Sequence, residues 1–203
     1  IGPETDLEHK MTLQRAIVMG TSAGGLKALS KIFSHLPKHY SLPILVVQHM
    51  AAHTKGCSIS TLLADYSHLP ILEADDKTPI QPGCIYFAPP GYHLLVESDH
   101  TLALSIDPKV NHSRPSIDVL FETAADVYQQ GLIGVLLTGA SQDGTQGLKK
   151  ILQRGGMTLV QDPQTAEAPL MPRFAIAVRA ASQVLTLEAI AQTLIQFGSR
   201  PHA

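Results

Sequence analysis

The sequence has few cysteines, little charge and no long apolar run, and each shortage excludes a class of protein. Two cysteines in 203 residues, Cys57 and Cys84, are too few and too far apart for a disulfide framework or a zinc site. Lys and Arg number 15 against 17 Asp and Glu, a net charge of -2 with histidines neutral. No basic surplus therefore points to nucleic acid, and no acidic tail points to a disordered partner. No apolar stretch approaches the ~20 residues of a membrane span, and nothing reads as a signal peptide. The expected compartment is the cytoplasm. Internal repeats, low-complexity tracts and linkers are also missing. Residues 1–10 read as a cloning scar or disordered leader and 199–203 as a tail. That leaves 11–198 as a single domain, long enough to bury a core without disulfides or metal.

What is present is a set of short apolar runs rich in β-branched residues: AIVM at 16–19, PILVVQ at 43–48, LIGVLLT at 132–138 and TLVQ at 158–161. They do not alternate with polar residues, as expected of strands buried on both faces. Helical spacing separates them. Leu26, Leu29 and Phe33 repeat over 25–35, and Ile117, Leu120, Phe121, Ala124, Ala125 and Tyr128 form a stripe before Gly131. Further helices are expected over 144–156 and 187–197. Alternating strand and helix predicts an α/β fold, doubly wound, with a mostly parallel sheet and helices on both faces. The segment 71–107 breaks the pattern with short strands and turn signals at PPG and SDH. It reads as an antiparallel hairpin region added to the sheet edge.

In open α/β sheets, function gathers at the carboxyl ends of the strands. There the sequence places Ser22 in GTSAGG, His49 in VVQHM and Asp143 in GASQDG. A serine, a histidine and an acid delivered to one sheet edge match the nucleophile, base and orienting acid of a serine hydrolase. Each residue also has a plain structural reading. GTSAG fits the nucleophile elbow, but a serine before a helix is commonly an N-cap, and the same glycines would suit a phosphate. Against the phosphate, a serine replaces the middle glycine of G-x-G-x-x-G and no P-loop lysine follows. His49 stands out among ten histidines only by its position after a strand; His53, in the following loop, reads as surface. Asp143 would equally suit a helix start. The order Ser, His, Asp differs from the Ser, Asp, His of α/β-hydrolases.

Six blocks, GTSAGG, VVQHM, IYFAPPGYHLLV, NHSRPSIDVLF, GVLLTGASQDGTQGL and VQDPQTAEAPLMPRFAI, stand in one order between about Arg15 and Phe197. In them the chain resembles the chemotaxis receptor methylesterase (CheB-type) catalytic domain. The resemblance implies hydrolysis of glutamate methyl esters on bacterial chemoreceptors, releasing methanol, and deamidation of certain receptor glutamines. It implies Ser22 as nucleophile, His49 as base and Asp143 as acid. Backbone N–H groups at Ala23 and Ala140 are candidate oxyanion donors, and Thr21, Arg114 and Ser116 are candidate substrate contacts. No metal or organic cofactor is expected. The partners it implies are methylated chemoreceptor helices and, in cis or trans, a receiver domain; nucleic acid is not one of them. Ser116 is also a fair N-cap, and Asp118 suits the first turn of its helix. Pro172 fits a first helical turn.

The family pattern near the acid, L-T-G-M-G-x-D-G, is broken by Ala140 and Ser141. Ala140 should leave room beside the nucleophile, and a serine forced to φ > 0 in place of glycine would strain the loop. Two other readings stand beside the methylesterase: an esterase or amidase for another protein or small ester, and a non-catalytic binding module of the receptor array.

Overall fold

A computed structural model describes residues 15–50 and 58–199. His53, Cys57 and the leader lie outside the described residues, as does the tail apart from Ser199. Among the described residues nine strands and six α-helices follow in this order: β1 (Ala16–Thr21), α1 (Gly25–Phe33), β2 (Ile44–Gln48), α2 (Ile59–Leu63), β3 (Ile71–Glu73), β4 (Ile85–Phe87), β5 (His93–Val96), β6 (Leu102–Ser105), α3 (Ile117–Tyr128), β7 (Leu132–Leu136), α4 (Thr145–Gln153), β8 (Met157–Gln161), α5 (Leu170–Ala177), β9 (Gln183–Leu185) and α6 (Leu187–Gly198). Seven strands form one sheet in the order β3-β4-β2-β1-β7-β8-β9. Every pairing within it is parallel.

β1 shows why the runs do not alternate. All six of its residues are buried, and successive side chains enter opposite cores, as the period-2 pleat requires. Ala16 and Val18 join Leu120, Phe121, Leu148 and Ala175 of α3, α4 and α5 on one face. Ile17 and Met19 join Leu29, Ile32, Ile190 and Leu194 of α1 and α6 on the other. Both faces are thus covered by helix, so polar positions have no place on the strand. At Gly147, a Cβ would stand 2.4 Å from Phe121 Cβ. The missing side chain lets α4 lie directly against α3.

The α/β class and the placement of helices on both faces are as the sequence indicates. The 71–107 region differs. β3 and β4 belong to the parallel sheet, on its β2 side. Only β5 and β6 are antiparallel, and they form a separate two-stranded sheet instead of extending the edge. Leu94, Val96 and Leu102 pack into the same core as α3. Turn residues locate chain reversals but not pairing partners or strand direction: Ile85 sits between Ile71 of β3 and Ile44 of β2, parallel to both, and does not pair with the β5 strand that follows it.

The chain order runs outward from β1 through β2 and β4, then restarts at β7 on the other side of β1. The switch point lies between β1 and β7, where a crevice opens at the carboxyl ends of a doubly wound sheet. Ser22 follows β1, His49 follows β2 and Asp143 follows β7.

Candidate active site

The loop after β1 is tied down on both sides. Ser22 N–H donates to Thr138 O at 3.0 Å, and Gly25 N–H donates back to Ser22 O at 2.9 Å. Gly24 takes the left-handed conformation at φ 76°, which closes this turn at low cost only for glycine. Gly139 lies against Ser22: a Cβ built on Gly139 would reach within 3.0 Å of Ser22 Cβ and 2.5 Å of Met171 Cε. The Ser22 hydroxyl itself makes no hydrogen bond among the described residues. Neither Ala23 N–H nor Ala140 N–H has an acceptor among them either. Those two groups are therefore available to a ligand.

The loop after β2 is clipped to the first. His49 N–H donates to Thr21 O at 2.9 Å. The buried Gln48 amide donates to Ser22 O at 2.8 Å and to His49 O at 2.7 Å. On the imidazole, Nε2 lies 2.9 Å from Asp143 Oδ2. A carboxylate only accepts, so Nε2 carries the proton and Nδ1 keeps the lone pair in the neutral ring.

Asp143 has no solvent exposure. Oδ2 accepts from His49 Nε2 and from Ile117 N–H at 2.6 Å. Oδ1 accepts from Asp118 N–H at 3.0 Å, Ser116 Oγ at 2.8 Å, Asn111 Nδ2 at 2.9 Å and Gly144 N–H at 3.0 Å. The carboxylate thus occupies the N-terminus of α3, a helix that begins 26 residues before it. Free N–H groups and the positive end of the helix dipole favour an anion there. Burial pushes the Asp143 carboxyl up, but the hydrogen bonds from His49, Ile117 N–H, Asn111 and Asp118 N–H outweigh it and hold it below the usual range.

Asp118 is the second buried acid. Its Oδ1 accepts from Gly147 N–H and its Oδ2 from Asn111 Nδ2, both at 2.7 Å. Burial raises its pKa from 3.8 to about 6; the Gly147 bond opposes this, while the Asp143 charge adds to it. The two acids leave opposite marks on stability. The folded Asp118 holds a proton that the unfolded chain has lost between pH 3.8 and about 6. Folding stability should therefore rise as pH falls through that window, by up to about 3 kcal/mol. Asp143 is depressed, so its contribution is lost as pH falls further, through its folded value. Urea unfolding from pH 7 to 3 checks this: Asp118→Asn should lack the rise between 6 and 4. Parallel curves for the protein and the variant would contradict it.

The remaining sequence candidates fall in three environments. Thr21 is fully buried and donates to Thr138 O at 2.9 Å; its hydroxyl is spent inside the fold and does not face the cleft. Ser116 is likewise buried, and its hydroxyl serves Asp143. It is the N-cap residue of α3 but makes no side-chain cap bond; Asp143 takes that role from another segment. Arg114 does line a cleft of about 290 Å³, together with Gln48, His49, Met50, Pro90 and His112. Its Nη1 donates to Ile106 O at 2.7 Å and to Asp107 O at 3.0 Å. Pro172 lies in the first turn of α5.

The strain expected at Ser141 is absent, because Ser141 is not among the positive-φ residues. Its hydroxyl accepts Asp143 N–H at 3.2 Å, a local turn bond that glycine could not make. Ala140 is exposed and borders a depression of about 670 Å³ with Asn111, His112, Ser141 and Gln142.

Four side chains important to this geometry were not singled out by the sequence reading: Gln48, His93, Asn111 and Thr138. Thr138 Oγ1 donates to Ala23 O at 2.9 Å and accepts Ala168 N–H at 2.8 Å, which joins the Ser22 turn to the segment before α5. His93 is buried; its Nδ1 accepts Ser116 N–H at 3.1 Å, so its proton is on Nε2, bonded to Pro108 O at 3.0 Å. Gln48 had a sequence signal, since a polar residue ending an apolar strand at the functional edge has a bond to make. Among the described residues no three His, Cys, Asp or Glu side chains gather as a metal-holding group. No described helix is long and apolar enough to cross a membrane.

Comparison with known proteins identifies the family and agrees with the fold. A family model described as CheB methylesterase matches residues 17–194. A Leptospira interrogans protein, provisionally named protein-glutamate methylesterase/protein-glutamine glutaminase, is 51% identical over 181 residues, 89% of this chain and 93% of that protein. The protein-glutamate methylesterase FrzG of Myxococcus xanthus is 36% identical over 182 residues, 89% of this chain but 54% of its own length. The crystal structure of the Thermotoga maritima CheB methylesterase catalytic domain superposes with a TM-score of 0.85 at 35% identity, covering 90% of this chain and 97% of that one.

Proposed function

The chain belongs to the CheB methylesterase family, and from that premise we propose that it is a serine hydrolase acting on glutamate methyl esters of bacterial chemoreceptors. It releases methanol, and deamidates receptor glutamines by the same chemistry. Relatives named protein-glutamate methylesterase/protein-glutamine glutaminase support both activities. The observation that carries the reading is the His49 Nε2–H bond to a carboxylate held ionised by five further donors.

In this reading Nδ1 of His49 takes the proton of Ser22 as the hydroxyl attacks the ester carbonyl. Asp143 holds the Nε2–H tautomer and stabilises the imidazolium that forms. The unpartnered N–H groups of Ala23 and Ala140 take the oxyanion. His49 then protonates the departing methanol, and water hydrolyses the acyl-enzyme by the reverse sequence. The Gln48 clip and the Thr138 bonds support the reaction by holding the loops that carry Ser22 and His49. A receiver domain in cis or trans is the regulator this reading calls for. The chain spans about half the length of the Myxococcus and Pseudomonas fluorescens relatives.

The test is methanol release from membranes carrying methylated chemoreceptors, beside a panel of bulkier esters and glutamine peptides. Methanol should be released from the receptors at a rate above that of the panel. A preference for bulkier esters would instead favour a different esterase, with the exposed Ala140 widening the site. No turnover of any ester or amide would sink the hydrolase reading.

A further inference from the structure

Asn111 and His112 occupy the centre of a tight two-residue turn. Val110 N–H donates to Ser113 O at 3.1 Å and Ser113 N–H donates to Val110 O at 2.9 Å. Both central residues are left-handed, at φ 51° and 64°. Such turns ordinarily carry Asn-Gly, and asparagine is among the residues that tolerate this region best. The turn aims the Asn111 amide between the two buried acids. One Nδ2 proton goes to Asp143 Oδ1 at 2.9 Å, the other to Asp118 Oδ2 at 2.7 Å.

We propose that Asn111, anchored by Asp118, is a positioning residue for Asp143: its shared amide keeps both acids from competing for a proton and leaves Oδ2 turned to His49. The proposal rests on the methylesterase reading of the site. Four of the six donors to Asp143 go to Oδ1, so Oδ2 retains only Ile117 N–H and His49. Backbone donors from α3 and Gly144 stay wherever the helix ends stay. Asn111 differs, because among the described residues it is the one donor that also satisfies the second acid. Without it, two neighbouring carboxylates have no common donor, and such pairs retain one proton to higher pH. The other titratable groups around the pair are His49 beyond Oδ2, Glu122 on the Asp118 side, His93 acting through Ser116 N–H, and Lys109 and His112 on the cavity side. None of these replaces a donor shared by both acids.

The test uses Asn111→Gly, which this left-handed turn also accepts and which removes only the amide. Methanol release should fall about tenfold or more in kcat with KM little changed. The acid limb of the pH profile should move up by about one unit, as expected when a carboxylate gains a like-charged neighbour without screening. Adding Asp118→Asn to Asn111→Gly removes the second charge and should return the limb toward its original pH. Asn111→Asp, isosteric and folded by the same turn, should move the limb upward as well. A kcat loss with an unmoved limb, or additive losses in the double variant, would overturn the proposal and leave Asn111 as a turn brace. The His49 Nε2–H proton resonance gives a readout independent of turnover. It should weaken or shift in Asn111→Gly at a pH where the unsubstituted protein retains it. If the unsubstituted protein releases no methanol, the methylesterase reading fails; an unchanged resonance in Asn111→Gly then overturns this proposal separately.

Discussion

Replacing Ser22 with alanine is expected to remove methanol release and to leave the fold untouched. The expected loss is about 10⁴- to 10⁶-fold, the scale on which serine hydrolases lose kcat when a triad member is deleted. The substitution takes away one oxygen. That oxygen has no hydrogen-bond partner among the described residues, while Ser22 N–H and C=O keep theirs. Alanine also retains the Cβ that fits against Gly139. Thermal unfolding should therefore change by no more than about 0.5 kcal/mol. The pairing of a large kinetic loss with an unchanged melt is the useful signature, since a misfolded variant would show both. Ser22→Ala protein that still releases methanol from receptor membranes at the unsubstituted rate would remove the nucleophile assignment.

Asp143→Asn should fail in both respects. An amide has one acceptor oxygen where the carboxylate has two, and six donors converge on this side chain. With the amide oxygen in the Oδ1 place, the new NH₂ faces Ile117 N–H and His49 Nε2–H. With the oxygen in the Oδ2 place, the NH₂ faces four donors. Either way buried N–H groups at the start of α3 lose their acceptor, at a cost of about 3–5 kcal/mol. The first arrangement also drives the His49 proton from Nε2 to Nδ1, the nitrogen that accepts from Ser22 in the proposed mechanism. A wrong tautomer of this kind costs about 10⁴-fold in kcat. Chemical unfolding and methanol release on one preparation would check both halves. A variant of unchanged stability would show that α3 does not depend on Asp143 for its cap, and full turnover would remove it as the acid.

The sequence by itself determined the layer plan and the edge where chemistry gathers. Four unalternating β-branched runs required a sheet covered on both faces, because a strand such as Ala16–Thr21 has no polar face to give to water. Ser22, His49 and Asp143 were legible as candidates because each lies in the segment that follows a core strand, and position along the chain after a strand is a local property. The 71–107 segment was only half legible. Turn residues marked where the chain reverses, but whether β4 pairs antiparallel with the strand after it or parallel with β2 and β3, as it does, is decided by which hydrophobic surface is open. The tertiary structure alone decided how the acid is held. Ser116 looked like the cap of its own helix, yet Asp143 caps it from 26 residues away, and Ser116 turns its hydroxyl to the acid. Asn111 gave no periodic signal, because its role depends on a left-handed turn aiming one amide between two carboxylates brought together by different segments. Helix and strand periods record which face of an element is buried; a hydrogen bond between segments about 30 residues apart leaves no period to read.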